Sequence, residues 1–207
     1  MEYNRKEALR YLGAQGNDKQ AEDLVDLAYF HLRNQVQPRG LIKAFDCVVD
    51  QEGVKVAGIY FRSRDLARHL AGCSRVLALA ATLGTGVDIT IRRLALTSVA
   101  QGAAAQAVAA ALIEAYCDKL QQQAPTEGLA QRPRFSPGYG DWPLEDQQSF
   151  FQLVDCSRKI GLTLTDGMMM APSKSVTALI GLSQDVACVW NKCMTCGNIN
   201  CPYREEK

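Results

Sequence analysis

Residues 75–86 read RVLALAATLGTG. Between Arg75 and Leu83 the run is almost entirely apolar and shows no alternation with polar residues, the pattern of a strand buried on both faces. Gly84, Thr85 and Gly86 then interrupt it and a helical pattern follows, which gives a strand, a glycine turn and a helix. The Gly-Thr-Gly turn could cradle a phosphate at a helix N-terminus, but it lacks the Lys-Ser/Thr of a P-loop and the third glycine of a dinucleotide fingerprint, so a plain tight turn is the stronger of the two readings.

Upstream of this run, residues 7–12 form a short helix closed by Gly13. Asn17 or Asp18 caps a second helix carrying Ala21, Leu24, Val25, Ala28 and Leu32 on one face. His31 lies on that helix and reads as an ordinary surface or core histidine. Pro38 and Gly40 end the pattern, and two apolar runs, 41–49 and 54–61, flank Asp50, Gln51, Glu52 and Gly53 as a hairpin. Ser63 caps a helix over 65–71.

Downstream, residues 98–123 form a central helix in which Ala103, Ala104, Ala105, Ala109, Ala110 and Ala111 allow close approach of its neighbours. Glu114 lies near its end. Residues 124–132 are a polar loop, 144–156 a helix with Phe150, Leu153 and Val154 on its apolar side, and 160–164 and 176–182 strands joined through Met168, Met169 and Met170. Strands and helices mix without regular alternation, which predicts an α+β fold: a single domain with a largely antiparallel twisted sheet and flanking helices. It is expected to span residues 1–187, with a cysteine-rich tail over 188–207.

The 207 residues carry 23 Lys plus Arg against 22 Asp plus Glu, a net charge of +1, and no long block of like charge suits a nucleic-acid backbone. No stretch reaches the roughly 18 apolar residues of a membrane span, and the first ten residues are polar, so a cytoplasmic protein with no membrane partner is expected. Eight cysteines are then expected to be mostly reduced. Cys47, Cys73, Cys117 and Cys156 lie in apolar contexts and read as core residues.

The most unusual segment is residues 132–143, RPRFSPGYGDWP. Its prolines restrict the backbone, while Gly138 and Gly140 allow conformations that a side chain forbids, so the loop has a fixed shape. Arg134 could grip a carboxylate through two parallel hydrogen bonds. Tyr139 and Trp142 could cover an aromatic ring or a sulfonium. On these residue types alone, a structural loop with a salt-bridged arginine stands equal to a ligand site.

The run from Arg134 to Tyr139, RFSPGY, resembles the Arg-x-x-x-Gly-Tyr motif of the activation domain of cobalamin-dependent methionine synthase. A second stretch in register, residues 160–176, IGLTLTDGMMMAPSKSV, resembles that family's Gly-x-x-Leu-Thr-Glu-Ser, Met, Pro and Ser-Val sequence. The resemblance is sharpest over 98–182 and includes the helix around Glu114. The chain departs from the pattern at Gly140-Asp141-Trp142-Pro143, at Ile180 where a Tyr is expected, and at Asp166 where a Glu is expected.

The resemblance implies an S-adenosylmethionine-binding protein. Arg134 would be its carboxylate clamp, Pro137, Gly138 and Tyr139 would provide backbone and ring contacts, and Glu114 and Asp166 acidic positions near the ligand. It implies a methyltransferase-type activation component that returns an oxidised corrinoid on a separate corrinoid-binding methyltransferase to its methylated state. A flavodoxin- or ferredoxin-type donor would supply the electron. The chemistry requires no catalytic acid or base, because the protein's part is orientation.

In the tail, Cys193, Cys196 and Cys201 fall within nine residues, with Cys188 five residues before them. Four such thiols suit a tetrahedral Zn site or an iron–sulfur cluster, and a redox thiol pair or inert cysteines are the other readings. Two further functions fit the same residues: a non-catalytic module that senses S-adenosylmethionine or corrinoid, and a small metal or iron–sulfur redox protein.

Overall fold

The computed structural model of the protein describes residues 3–14 and 18–184. Helix α1, Arg5–Leu12, starts at Asn4, whose side chain accepts from the main-chain N–H groups of Lys6 and Glu7, and stops at Gly13 in the left-handed conformation. Helix α2, Lys19–Leu32, starts at Asp18 and buries Ala21, Val25, Ala28 and Leu32. Strands β1 (Arg39–Val49), β2 (Gly53–Val56) and β3 (Ile59–Arg62) follow, then α3 (Arg64–His69), capped by Ser63. Strand β4 (Arg75–Thr82) leads through Gly84 into α4 (Thr85–Thr97), and Ser98 caps α5 (Val99–Gln122).

The remaining elements are β5 (Ala130–Gln131), a 3₁₀ turn over Leu144–Asp146, α6 (Gln147–Val154), α7 (Cys156–Ile160), β6 (Thr163–Leu164), β7 (Met170–Ala171) and β8 (Ser175–Ser183). Six strands form one antiparallel sheet in the order β3-β2-β1-β4-β8-β5, and β6 pairs with β7 separately. The long strand β1 serves two neighbours: residues 39–46 pair with β4, and residues 47–49 with β2.

Helices cover both faces of the sheet, and β4 divides its side chains between two cores. Leu77, Leu79 and Ala81 pack with α1, α2, α4 and α5, while Val76, Ala78 and Ala80 pack with α3, α6 and α7. An antiparallel strand sandwiched in this way must be apolar on both sides, so RVLALAAT carries no alternation. In the first core, Ala104, Ala105 and Ala109 are fully buried, which lets α5 lie close to the sheet and the other helices. The observed architecture is the α+β fold expected from the sequence.

Three local expectations are corrected. The apolar run 54–61 is two strands, because Ala57 (φ 47°) and Gly58 (φ 87°) form a two-residue turn with both residues at positive φ. The helix expected over 144–156 breaks at Asp155, which adopts φ 57° between α6 and α7. The strand expected from residue 160 begins later: Ile160 is the buried last residue of α7, and Gly161 (φ 67°) ends that helix, leaving only Thr163 and Leu164 to pair. Among the described residues, no helix is long and apolar enough to cross a membrane.

Candidate functional site: a cavity at the open edge of strand β8

The segment following β5 runs beside β8. The Arg132 N–H donates to the Gly181 carbonyl at 2.9 Å, and Phe135 and Leu179 exchange both main-chain hydrogen bonds at 2.9 and 2.8 Å. The Arg132 guanidinium donates to the carbonyls of His69 (2.5 Å) and Ala71 (2.7 Å), which ties the segment to α3. Two residues beyond Phe135 the pairing stops at Pro137, which has no N–H to offer.

The chain then turns sharply. Gly138 takes φ 90° and donates its N–H to the Trp142 carbonyl at 2.8 Å, and the Tyr139 N–H donates to the Ser136 carbonyl at 3.0 Å. Positive φ at position 138 is the physical reason for the glycine there. Gly140 is also at positive φ (54°), and a Cβ on it would collide with the Asp65 side chain.

Asp141 fixes the far side of this loop. Its carboxylate accepts from the Ser63 hydroxyl and from the N–H groups of Arg64 and Asp65, each at 3.0 Å, while the Asp141 N–H donates to Asp65 at 3.1 Å. These bonds, the Ser63 hydroxyl foremost, hold the Asp141 carboxyl below the usual carboxylate range.

Trp142 is 1% exposed, packed edge-on against Phe61 and stacked with Phe135, and its Nε1–H donates to Asp146 at 2.9 Å. It therefore belongs to the core, and the expectation that it covers a ligand is corrected. Tyr139 remains 46% exposed. Burial and the charge of Glu114 push its phenol up.

Arg134 points toward α5, where Glu114, Asp118 and Gln121 share one helical face at i, i+4 and i+7. Its Nη1 donates to Asp118 (2.8 Å) and Gln121 (3.0 Å), and its Nη2 to Glu114 (2.6 Å). Burial opposes the guanidinium charge, but Glu114 and Asp118 outweigh it and hold Arg134 more firmly protonated than usual. Among the described residues, three of its five N–H donors are used in this way and the other two carry no partner.

These residues line a cavity of about 280 Å³, close to the lower end of the ~300–1,000 Å³ typical of small-molecule sites. Its lining comprises Glu114, Arg134, Ser136, Pro137 and Tyr139, the methionine wall Met168, Met169 and Met170, and Gln147, Ser175 and Thr177. Ser173, which lines the same cavity, donates its N–H (2.8 Å) and hydroxyl (2.7 Å) to Asp88 in the first turn of α4 and so ties the segment after the methionines to that helix. The acidic–basic pair Glu114 and Arg134 offers partners for a ligand carrying both charges, and the thioethers and Tyr139 offer soft, polarisable surface to an apolar or sulfonium part.

Of the residues singled out in the sequence, Glu114, Arg134, Pro137 and Tyr139 meet in this lining, whereas Gly138 shapes the loop without lining the cavity. Asp166 is exposed in the turn between β6 and β7, two residues before Met168, and is not among the residues that line the cavity. Gln147 and Thr177 were not anticipated. Gln147 heads a stripe continued by the buried residues Phe150, Phe151 and Val154, and a polar residue on such a stripe is a signal in itself.

Cys47, Cys73, Cys117 and Cys156 are buried and form no disulfide, and burial pushes Cys47 up to about 11 and Cys117 and Cys156 up to about 12. Such thiols are chemically inert. Among the described residues no cluster of His, Cys, Asp and Glu suits a metal ion. Cys188, Cys193, Cys196 and Cys201 lie outside the described residues.

Comparison with known proteins agrees with the fold. A crystal structure of the MetH reactivation domain bound to AdoHcy is similar to this chain with a TM-score of 0.63 and 17% sequence identity, covering 85% of this chain and 69% of that one. No curated protein matches the sequence. The family model described as the vitamin B12 dependent methionine synthase activation domain matches residues 76–190, more than half of the chain and wider on both sides than the stretch 98–182. The chain belongs to the family of the activation domain of vitamin B12-dependent methionine synthase.

Proposed function

We propose that the protein binds S-adenosylmethionine in the cavity between Arg134 and the Met168–Met170 wall, and acts on a corrinoid held by a separate protein, returning it from the oxidised to the methylated state. The observation that carries this reading is the meeting of Arg134, Glu114 and Tyr139 with the methionine run around one cavity, in a chain of this family. The ligand bound in the similar crystal structure is the demethylated product of the same compound.

In this reading the two free N–H donors of Arg134 take the ligand carboxylate, and Glu114 takes its ammonium group. Tyr139 and the thioethers pack around the sulfonium and its methyl group. Reduced corrinoid supplies the nucleophile: cobalt attacks the methyl carbon, the carbon–sulfur bond breaks, and S-adenosylhomocysteine leaves with the electron pair. One electron from a flavodoxin- or ferredoxin-type donor is needed to reduce the oxidised corrinoid first. The protein contributes orientation, the part of catalysis that a prepaid geometry supplies.

The test is anaerobic incubation of the protein with methyl-labelled S-adenosylmethionine, a chemical reductant and a corrinoid methyltransferase in its oxidised form. Label on the corrinoid and equimolar S-adenosylhomocysteine, both dependent on this chain, are expected. Ligand binding without any transfer would replace the reading with a sensing module.

A further inference from the structure

Two polar residues of the cavity lining have an unused hydrogen-bonding pattern. Along β8 the main-chain groups alternate in direction. The Lys174 carbonyl accepts from Leu83 on the β4 side, whereas Leu179 and Gly181 bond the opposite edge through Phe135 and Arg132. Thr177 has the parity of Leu179, so its N–H and C=O face the open edge and the cavity it lines. The rung that would claim them falls at Pro137, where the partner chain has no N–H and turns away. Among the described residues, neither main-chain group of Thr177 carries a hydrogen bond on that edge.

Gln147 lines the same cavity from α6 and is only 3% exposed. Its Oε1 accepts the Thr177 hydroxyl at 2.8 Å, which orients the carboxamide. Among the described residues no partner takes its Nε2, so a 97% buried side chain presents an uncommitted N–H donor to the cavity. Two donors and one acceptor therefore converge: the Gln147 amide, the Thr177 N–H and the Thr177 C=O.

Arg134 lies opposite Ile180 in the register set by the Phe135–Leu179 pair, three residues along β8 from Thr177. At ~3.3 Å per residue this is about 10 Å. One ligand can thus lay its charged end on Arg134 and Glu114 and its other end at Thr177 and Gln147.

We propose that Gln147 and the open main chain of Thr177 form the subsite that reads the ligand's nucleobase, selecting a 6-amino purine over a 6-oxo purine. Adenine carries an amino donor flanked by ring-nitrogen acceptors, complementary to the Thr177 carbonyl flanked by the two N–H donors. A 6-oxo purine sets its carbonyl oxygen against the Thr177 carbonyl. The proposal rests on the nucleoside-sulfonium reading of the cavity given above.

The experiment measures calorimetric affinities of the full-length protein for S-adenosylhomocysteine and for its deaminated counterpart, S-inosylhomocysteine. The wild type is expected to prefer the adenosyl compound about 10-fold or more, the scale of one good bidentate base contact. In Gln147→Met, which keeps side-chain length without the amide, that preference shrinks severalfold. In Thr177→Val, which keeps the β-branched shape but frees the carboxamide, it shrinks less. Equal affinity of the wild type for both compounds overturns the proposal without any variant, as does a Gln147→Met protein that loses both ligands equally. Failure of the wild type to bind either compound instead removes the nucleoside-sulfonium reading, and the subsite with it.

Discussion

Asp141 and Trp142 occupy the positions where the loop departs from the family pattern, and each has a structural task. Asp141 caps α3 through Ser63, Arg64 and Asp65. Asp141→Ala should cost about 1–2 kcal/mol, as for other lost caps, read as a lower urea midpoint. Because its folded carboxyl is depressed, that contribution is present above the ordinary carboxylate range near pH ~4 and is lost as the pH falls through the lower folded value. Between pH 5 and 3 the wild type should therefore lose more stability than Asp141→Asn, and parallel pH profiles would contradict the assignment. Trp142→Ala should cost about 3–5 kcal/mol through cavity formation between Phe61 and Phe135, measurable as a large fall in Tm. The sequence made Arg134 and Tyr139 legible through a motif of unusual residues. It left Trp142 ambiguous, because an indole in a Gly/Pro-rich loop serves a core as readily as a ligand, and only the fold over Phe61 separates the two. Gln147 and Thr177 were hidden for another reason: their hydrogen bond joins residues thirty positions apart.

At the scale of elements, α5 is the scaffold of the site, carrying Glu114 and Asp118 toward Arg134 while its alanines pack against the sheet and the other helices. Replacing fully buried Ala105 by leucine should cost about 1–3 kcal/mol through overpacking, whereas exposed Ala103→Leu should be nearly neutral. Similar urea midpoints for the two variants would show that α5 does not need its small residues. Helices with ordinary caps were legible: Asp18, Ser63 and Ser98 each accept from a main-chain N–H of the helix they start. Strand β4 was legible because two cores demand an unbroken apolar run. The turn between β2 and β3 was not, since Ala57 adopts a positive φ usually left to Gly or Asn, and no local signal marks it. Asp155 hides the break between α6 and α7 in the same way. Ile160 read as the start of a strand because a β-branched residue beside Leu162 and Leu164 suits one, yet its contacts with the second core favour the last turn of α7.

Across the whole molecule, the antiparallel sheet brings together segments far apart in sequence: α5, the 132–143 loop, α6 and the methionine run converge on the open edge of β8. The α+β class followed from the order of the elements, whereas the cavity depends on where pairing with β8 ends, at Pro137. That end is set by one missing N–H, which a reading of periodicity does not weigh. The proposed binding of a nucleoside sulfonium at this edge through Arg134 is tested most directly by calorimetric titration of S-adenosylmethionine into the anaerobically purified protein. Saturable binding at micromolar or lower Kd is expected, weakened about 10- to 100-fold in a folded Arg134→Ala variant, the scale of a lost hydrogen bond to a charged group. No heat of binding in the wild type, or equal affinity in the variant, would contradict it.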